Sequence, residues 1–224
     1  MTSLNEIAYN ILNLLRGGRT SNTDHLSLEQ IKYMVKYYRA VFLRRDQERN
    51  LNRSSAFEQE LGFITLEYVD PSEVTGINSG EMVYKTSRQI PKPLRLKRSE
   101  AITYVSVDNK VGPPLSMLDS VRTPWQRFNK YTSDEPFVFI RDNYLYVTGD
   151  FYGDKIYVRG IFEDPEAVFN FAQEDGIAIY DEDSPFPISG DMLEGITKGI
   201  VSGELQRVQD IDNDTDNDTL QGKQ

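Results

Sequence analysis

The sequence predicts an α+β fold: a helical bundle from both chain ends with an inserted, mostly antiparallel β-sheet region. Two changes in the spacing of apolar residues support this prediction. Helical spacing near the N-terminus gives way to alternation from Phe63, and helical spacing returns towards the C-terminus. A chain of 224 residues is long enough for one or two domains with a buried core.

Residues 1–62 are predicted to form a helical hairpin followed by a short helix. Capping boxes, in which a serine and an acid or amide three residues later satisfy free helix amides, mark three helix starts: Ser3-Leu4-Asn5-Glu6, Ser27-Leu28-Glu29-Gln30 and Ser55-Ala56-Phe57-Glu58. The second helix, from Ser27 to Arg53, has a wide apolar surface, so we expect other elements to pack against two of its sides. We expect the rest of the fold to be organised around this helix. We expect the short helix to end at Gly62.

Residues 63–163 are predicted to form the antiparallel β region. Asp142-Asn143 suits a two-residue hairpin turn, and its two flanking strands are predicted to form a three-strand meander with Lys155 to Phe162. Ile90-Pro91-Lys92-Pro93-Leu94 cannot be a central strand, because proline has no amide to donate. We therefore predict an extended basic arm over residues 85–98.

Residues 164–207 are predicted to form C-terminal helices that pack on the N-terminal hairpin, and residues 208–224 an acidic tail. Gly195, Gly199 and Gly203 lie four residues apart in the last of these helices. Each glycine costs a helix about 1 kcal/mol relative to alanine. Three in register therefore predict the close approach of another helix.

Charge is unevenly distributed along the chain. The formal net charge is −10, but the segment from Glu163 to Asp218 contains sixteen acidic and two basic residues. Residues 85–98, in contrast, contain six basic residues and no acid. This asymmetry indicates either nucleic acid nearby or oppositely charged faces that meet between copies of the chain.

The candidate contact residues follow from these charges. The residues predicted to contact a neighbouring copy or another partner are Lys85, Arg88, Lys92, Arg95, Lys97, Arg98, Asp210, Asp212, Asp214, Asp216 and Asp218. The acidic repeat departs from a calcium loop, because Thr215 and Gln221 stand where an EF-hand needs glycine and glutamate. Trp125 is a further candidate, either as the anchor of an interface or as part of the core of the sheet.

Catalytic, metal and cofactor sites have no support in the sequence. The chain has no cysteine, and its one histidine, His25, lies in a polar run where we expect an exposed loop. There is no phosphate-binding glycine loop, serine nucleophile elbow or metal-spaced histidine pair. We therefore predict a protein that is not an enzyme and has no cofactor. The lack of a signal peptide and of a long apolar span predicts synthesis in the host cytoplasm and no membrane partner.

Several strings in the sequence resemble structural proteins of crAss-like bacteriophages. The likeness spans nearly the whole chain, although none of the strings is a motif with known chemistry. They are Leu4-Asn5-Glu6-Ile7-Ala8-Tyr9-Asn10-Ile11-Leu12, Leu15-Arg16-Gly17-Gly18-Arg19, Leu28-Glu29-Gln30-Ile31-Lys32, Tyr38-Arg39-Ala40, Ile90-Pro91-Lys92-Pro93, Tyr157-Val158-Arg159-Gly160-Ile161-Phe162-Glu163-Asp164-Pro165 and Asn217-Asp218-Thr219-Leu220.

The resemblance implies a ring component of the head-to-tail connector of a virion, similar to the adaptor or tail tubular proteins that dock under the portal of short-tailed phages. It implies copies of the chain in a ring, twelve by analogy, with the portal protein and other tail or ring proteins as partners and with passing DNA contacted without sequence specificity. A ring built from head-to-tail contacts needs two different surfaces on each copy. The basic arm and the acidic C-terminal third are candidates for these surfaces.

Two other functions are weighed beside the adaptor. One is a later ring of the tail barrel, which would share the fold. The other is a nucleic-acid-binding module that uses residues 85–98, with binding that falls steeply as salt rises. The overall acidity of the chain opposes the second function. An acid–base hydrolase has only abundant carboxylates in its favour and ranks last.

Overall fold

The chain forms two compact units, which are described separately. The computed structural model describes residues 2–15, 27–49, 57–74, 77, 82–97, 99–119, 121–131, 135–149, 153–172 and 180–203. One unit comprises Met1–Arg45 and Tyr180–Gln224, and the other comprises Asp46–Ile179.

Helices dominate the described part of the first unit. Helix α1 spans Leu4–Leu15 and helix α2 spans Leu28–Arg49, so the end of α2 belongs to the second unit. Helix α3 (Pro165–Ala172) lies in the second unit, and residues 190–203 of the first unit form helix α4. None of the described helices has an apolar stretch long enough to cross a bilayer.

The starts of α1 and α2 are fixed by hydrogen bonds between neighbouring residues. The Glu6 amide donates to the Ser3 hydroxyl at 3.1 Å. The Gln30 amide donates to the Ser27 hydroxyl at 3.2 Å, and the Ser27 amide donates to the Gln30 side-chain oxygen at 2.9 Å. These bonds satisfy amides that lack partners in the first helical turn, and they confirm the two predicted helix starts.

The core of the first unit joins α1, α2 and α4. Its buried residues are Leu4, Ile7, Ala8, Ile11, Leu12, Ile31, Val35, Phe186, Ile196 and Ile200. Two polar contacts tie residues 180–189 to α2. Lys32 Nζ lies 2.5 Å from a carboxylate oxygen of Glu182, and buried Arg39 donates from Nε to the Pro187 carbonyl at 2.8 Å.

The second unit is built on a seven-stranded sheet. Its strands are β1 (Gln59–Val69), β2 (Val83–Thr86), β3 (Ile102–Val107), β4 (Ser116–Met117), β5 (Phe137–Arg141), β6 (Tyr144–Thr148) and β7 (Lys155–Gly160). Their order is β3-β7-β1-β2-β6-β5-β4. The amide of Leu115, one residue before β4, donates to the Val105 carbonyl in β3 at 2.7 Å. This bond links the two outer strands, so the sheet curls towards a barrel.

The predicted fold class is wrong. The protein is not a helical bundle with an inserted sheet, because its longer unit, Asp46–Ile179, is organised by the seven-stranded mixed sheet. The error came from the apolar surface of α2, which we expected to be covered on two sides. In the structure Tyr37 of α2 is exposed and Met34 is half-buried against the core of the first unit, so the second side of that surface is covered only in part. Periodicity identifies an apolar surface but not what covers it.

The predicted three-strand meander is right for its hairpin and wrong for its third strand. Asp142 and Asn143 have φ of 52° and 60°, as a tight turn between antiparallel strands requires, and they join β5 to β6. Strand β7 pairs with β1 and β3 rather than continuing a meander from β6. Strands β4 and β5 are parallel, so the sheet is mixed.

The short helix predicted to end at Gly62 is also wrong in the part that the structure describes. Strand β1 already runs from Gln59, and Gly62 has a φ of 79° at a register shift between β1 and β7. Glycine at such a shift allows a backbone conformation that other residues rarely adopt. The serine that would open the helix, Ser55, lies outside the described residues.

Candidate interaction surfaces

The basic stretch is part of the body of the second unit. Lys85 lies in β2, which is paired on both sides, with β1 and with β6. Further along, Pro93 and Leu94 are buried, and the Leu94 amide donates to the Ile161 carbonyl at 2.9 Å. The prediction of an extended arm is wrong for residues 85–97. The two prolines do exclude a central strand, but the apolar residues between the charges anchor the stretch against the sheet.

Two cations of this stretch lie over aromatic rings of the same unit. Lys85 Nζ is 3.8 Å from the centre of the Tyr144 ring, and the Arg88 guanidinium is 3.8 Å from the centre of the Phe171 ring in α3. Both distances are well within the range in which a ring attracts a cation. These side chains are therefore held against their own chain.

Two further cations of the stretch form ion pairs within the second unit. Lys92 Nζ lies 2.9 Å from a Glu163 oxygen, and Lys97 Nζ lies 3.5 Å from a Glu48 oxygen. Both lysines are exposed, so each pair contributes only about 0 to 1 kcal/mol to stability. Arg98 lies outside the described residues.

Arg95 and Lys97 also line an open groove of about 770 Å³. Its other charged residues are Glu100, Asp119 and Arg122. Burial raises the pKa of Glu100; Arg95 opposes this shift and the charge of Asp119 adds to it. The groove thus mixes both signs of charge, and no single charge sign marks it as a nucleic-acid site.

Several strongly exposed aromatic residues follow Arg122 of this groove along the chain. A 3-10 helix spans Thr123–Phe128, and Trp125 on it is 70% exposed. Together with it, exposed Val121, Phe128 and Tyr131 form what we call the Trp125 surface. The rings of Trp125 and Phe128 lie 6.2 Å apart. Of the two roles considered for Trp125, burial in the core of the sheet is wrong.

Sequence reasoning identified Trp125 but missed its neighbours. Trp125, Phe128 and Tyr131 follow one another at intervals of three residues. Side chains three apart lie on one side of a 3-10 helix, so the spacing of Trp125 and Phe128 after Pro124 was the signal that could have found this pair; Tyr131 lies beyond the end of the helix. A contiguous group of exposed large apolar side chains is typical of a binding surface.

A second exposed apolar surface lies on β1 and at the start of β2. Tyr68 is 64% exposed, and its ring lies 6.0 Å from that of Tyr84, its partner across the strands. The Tyr84 hydroxyl is 3.9 Å from the sulfur of exposed Met82. We call these three residues the Tyr68 surface. Their exposure was not predicted, because alternation along a strand does not show which face is covered.

The remaining predicted contact residues cannot be placed. Asp210, Asp212, Asp214, Asp216 and Asp218 all lie outside the described residues. Within the residues that the structure describes, no group of three histidines or carboxylates is arranged to hold a metal ion.

Comparison of the sequence with models of known protein families shows which family the chain belongs to. The family model described as phage tail ring protein 2 matches residues 6–223. The chain belongs to this family of crAss-like phage tail ring proteins. No curated protein matches it. The resemblance stated from the sequence is confirmed. A phage tail ring protein is a structural component of the virion and associates with copies of itself and with other tail components.

Membership of the tail ring family gives the two exposed surfaces a context. Each copy in a ring must contact a copy on either side. Apolar side chains that a single tail ring protein leaves in solvent are candidates for these contacts. Whether the residues of the basic stretch also contact neighbours stays a prediction.

Proposed function

We propose that this tail ring protein is an adaptor of the head-to-tail connector, which joins the portal to the tail and surrounds the channel through which DNA passes. The match of the tail ring family to residues 6–223 carries the proposal. The proposed ring contains twelve copies, and its proposed partners are the portal protein and neighbouring tail proteins. In this role the protein acts by assembly and performs no catalysis.

The charge of the chain supports a channel role. The formal net charge of −10 opposes tight binding to DNA, which carries dense negative charge. A ring that surrounds passing DNA must not hold it, and repulsion between like charges prevents adhesion. We propose that the protein meets DNA in this way, without sequence specificity.

The structure disfavours the alternative of a nucleic-acid-binding module. Such a module would need the cations of residues 85–98 to be available to phosphates. Instead, Lys85 and Arg88 lie over aromatic rings, and Lys92 and Lys97 are each within 4 Å of a carboxylate of their own unit. Binding DNA would have to replace these contacts.

Reconstitution with the portal tests the adaptor role. The full-length chain, the portal and the distal tail proteins of the same phage would be purified, mixed in pairs, and analysed by sedimentation and electron microscopy. We expect a ring of this protein stacked on the portal. A ring that binds distal tail proteins but leaves the portal bare would overturn the adaptor role and place the protein in a later ring.

A further inference from the structure

The Trp125 surface is apolar and lies in a basic segment. Residues 121–131 contain Arg122, Arg127 and Lys130 and no acid, and the one acid at their start is Asp119, which accepts a hydrogen bond from the Val121 amide at 3.2 Å. Lys130 Nζ lies 5.4 Å from the centre of the exposed Tyr131 ring, so positive charge borders the aromatic group directly. An apolar centre with a charged border is the usual arrangement of a protein interface.

The Tyr68 surface is apolar and lies in an acidic segment. Residues 68–73 contain Asp70 and Glu73 and no base. Asp70 and Glu73 are exposed, and they follow directly from the end of β1. Asp70 accepts hydrogen bonds from the amide and hydroxyl of Ser72 at 2.9 and 2.8 Å, which fixes the position of its carboxylate.

These two surfaces cannot each pair with themselves without bringing like charges together. Two copies of the Trp125 surface would oppose basic segments, and two copies of the Tyr68 surface would oppose acidic ones, at a cost in free energy. The Trp125 surface and the Tyr68 surface, by contrast, have opposite charge around apolar centres. The Trp125 surface follows β4, which ends the strand order, whereas the Tyr68 surface lies on the β1–β2 pair in its middle. The two surfaces therefore lie at different places on the second unit.

Two different and complementary surfaces on one chain are what a head-to-tail ring contact requires. We propose that the Trp125 surface of one copy docks on the Tyr68 surface of the next copy around the ring. This inference rests on the proposed ring function and names the residues that perform it. A fully buried aromatic side chain covers about 150–250 Å². Trp125, Phe128 and Tyr131 together supply about half or more of the roughly 800 Å² per partner that a stable interface buries.

Two surface-blocked variants test the direction of the contact. One combines Trp125→Gln with Phe128→Gln, and the other combines Tyr68→Thr with Met82→Thr. All four positions are exposed, so we expect both variants to fold with wild-type circular dichroism and thermal midpoint. Each variant alone should lose self-association at least about tenfold, because large aromatic residues at the centre of an interface carry most of the binding energy.

Mixing the two variants gives the decisive result. Each retains the surface that the other lacks, so an equimolar mixture should form a one-to-one heterodimer and no larger species. Assembly by either variant alone as in the wild type would overturn the proposal. A mixture that stays monomeric, or one that forms complete rings, would overturn it as well.

A disulfide test locates the contact independently. The chain has no cysteine, so a single chain that carries both Val121→Cys and Ser72→Cys has one thiol in the Trp125 surface and one four residues after Tyr68, and a disulfide between these two sites links successive copies. Under mild oxidation we expect a ladder of covalent oligomers on a denaturing gel. The matched control replaces Val121→Cys with Val111→Cys, an even more exposed valine outside both surfaces, and should give no ladder. Equal ladders from the two chains would contradict the proposal.

The wild-type chain separates failure of this inference from failure of the proposed function. Rings that form from the wild type and persist in both blocked variants would overturn the docking surfaces and leave the ring function standing. A wild-type chain that does not associate with itself, either alone or with the portal and tail proteins, would overturn both.

Discussion

Lys92 and Glu163 are joined by two contacts. The Lys92 Nζ lies 2.9 Å from a carboxylate oxygen of Glu163, and the Glu163 amide donates to the Lys92 carbonyl at 3.1 Å. The second contact holds the backbone of the basic stretch against the segment that follows β7. A residue predicted to reach outwards is thus tied to its own unit.

Reversing charges in the basic stretch should have little effect on DNA binding. In a variant with Lys92→Glu and Lys97→Glu, we expect the free energy of unfolding to fall by about 1 kcal/mol or less for each lost exposed pair. Binding to duplex DNA, measured over a series of salt concentrations, should be weak in both the wild type and the variant. Lys198→Glu, which removes an exposed pair with Glu194, is the matched control. If DNA binding by the wild type and by the Lys198→Glu control fell steeply with salt, and binding by the double variant did not, the result would support the nucleic-acid module instead.

Glu100 should make stability depend on pH. Burial raises its pKa in the folded protein above the ordinary value of 4.5, so ionised Glu100 destabilises the fold at neutral pH. This cost is present above the folded pKa and is relieved as the pH falls below 4.5. Glu100→Gln should therefore increase the free energy of unfolding at pH 7, and the gain should vanish near pH 4. Urea titrations at the two pH values measure it, with exposed Glu67→Gln as control. An equal gain at both values would show that ionisation of Glu100 is not the cause.

The glycines of α4 should differ in their response to alanine. A Cβ atom at Gly195 would lie 2.8 Å from Phe42 Cζ, whereas at Gly203 it would meet no atom within 4 Å. Gly203→Ala should stabilise by up to about 1 kcal/mol through helix propensity. Gly195→Ala should destabilise by about 1 to 2 kcal/mol, because the overlap with a packed ring outweighs that gain. Chemical denaturation measures both changes, and similar values for the two variants would contradict the close packing at Phe42.

The acidic C-terminal segment is predicted to serve docking rather than folding. Deletion of residues 210–224 removes five aspartates. We expect the shortened chain to retain the thermal midpoint of the full chain and to bind the portal or a neighbouring tail protein more weakly, most visibly at low salt. A large fall in the thermal midpoint would instead assign the segment a structural role.

Features that depend on a few neighbouring residues could be predicted from the sequence. The hydrogen bonds of Ser3 and Ser27 each reach three residues along the chain, and the turn at Asp142 and Asn143 involves adjacent positions. Residue type alone is enough to predict such features, because the chain brings the partners together.

Features that depend on distant pairing could not be predicted. Gln59 at the start of β1 pairs with Gly160 at the end of β7, about a hundred residues away, and alternation in each strand is equally compatible with other neighbours. The same reason explains why the contacts of the basic stretch could not be predicted. Arg88 meets Phe171, and Lys92 meets Glu163, only once the sheet has formed. Whether Trp125 is exposed depends on how distant elements pack around it. The sequence therefore identified Trp125 as a candidate but did not decide between an interface and the core.

The mass of the full-length protein in solution tests the central claim most directly. Trp125 is the only tryptophan and is largely exposed, so its fluorescence reports docking during the same concentration series. We predict closed rings, alone or once the portal is added, with protection of Trp125 from a soluble quencher as they form. A monomer at every concentration, with Trp125 equally quenched in the presence of the portal and tail proteins, would contradict the account.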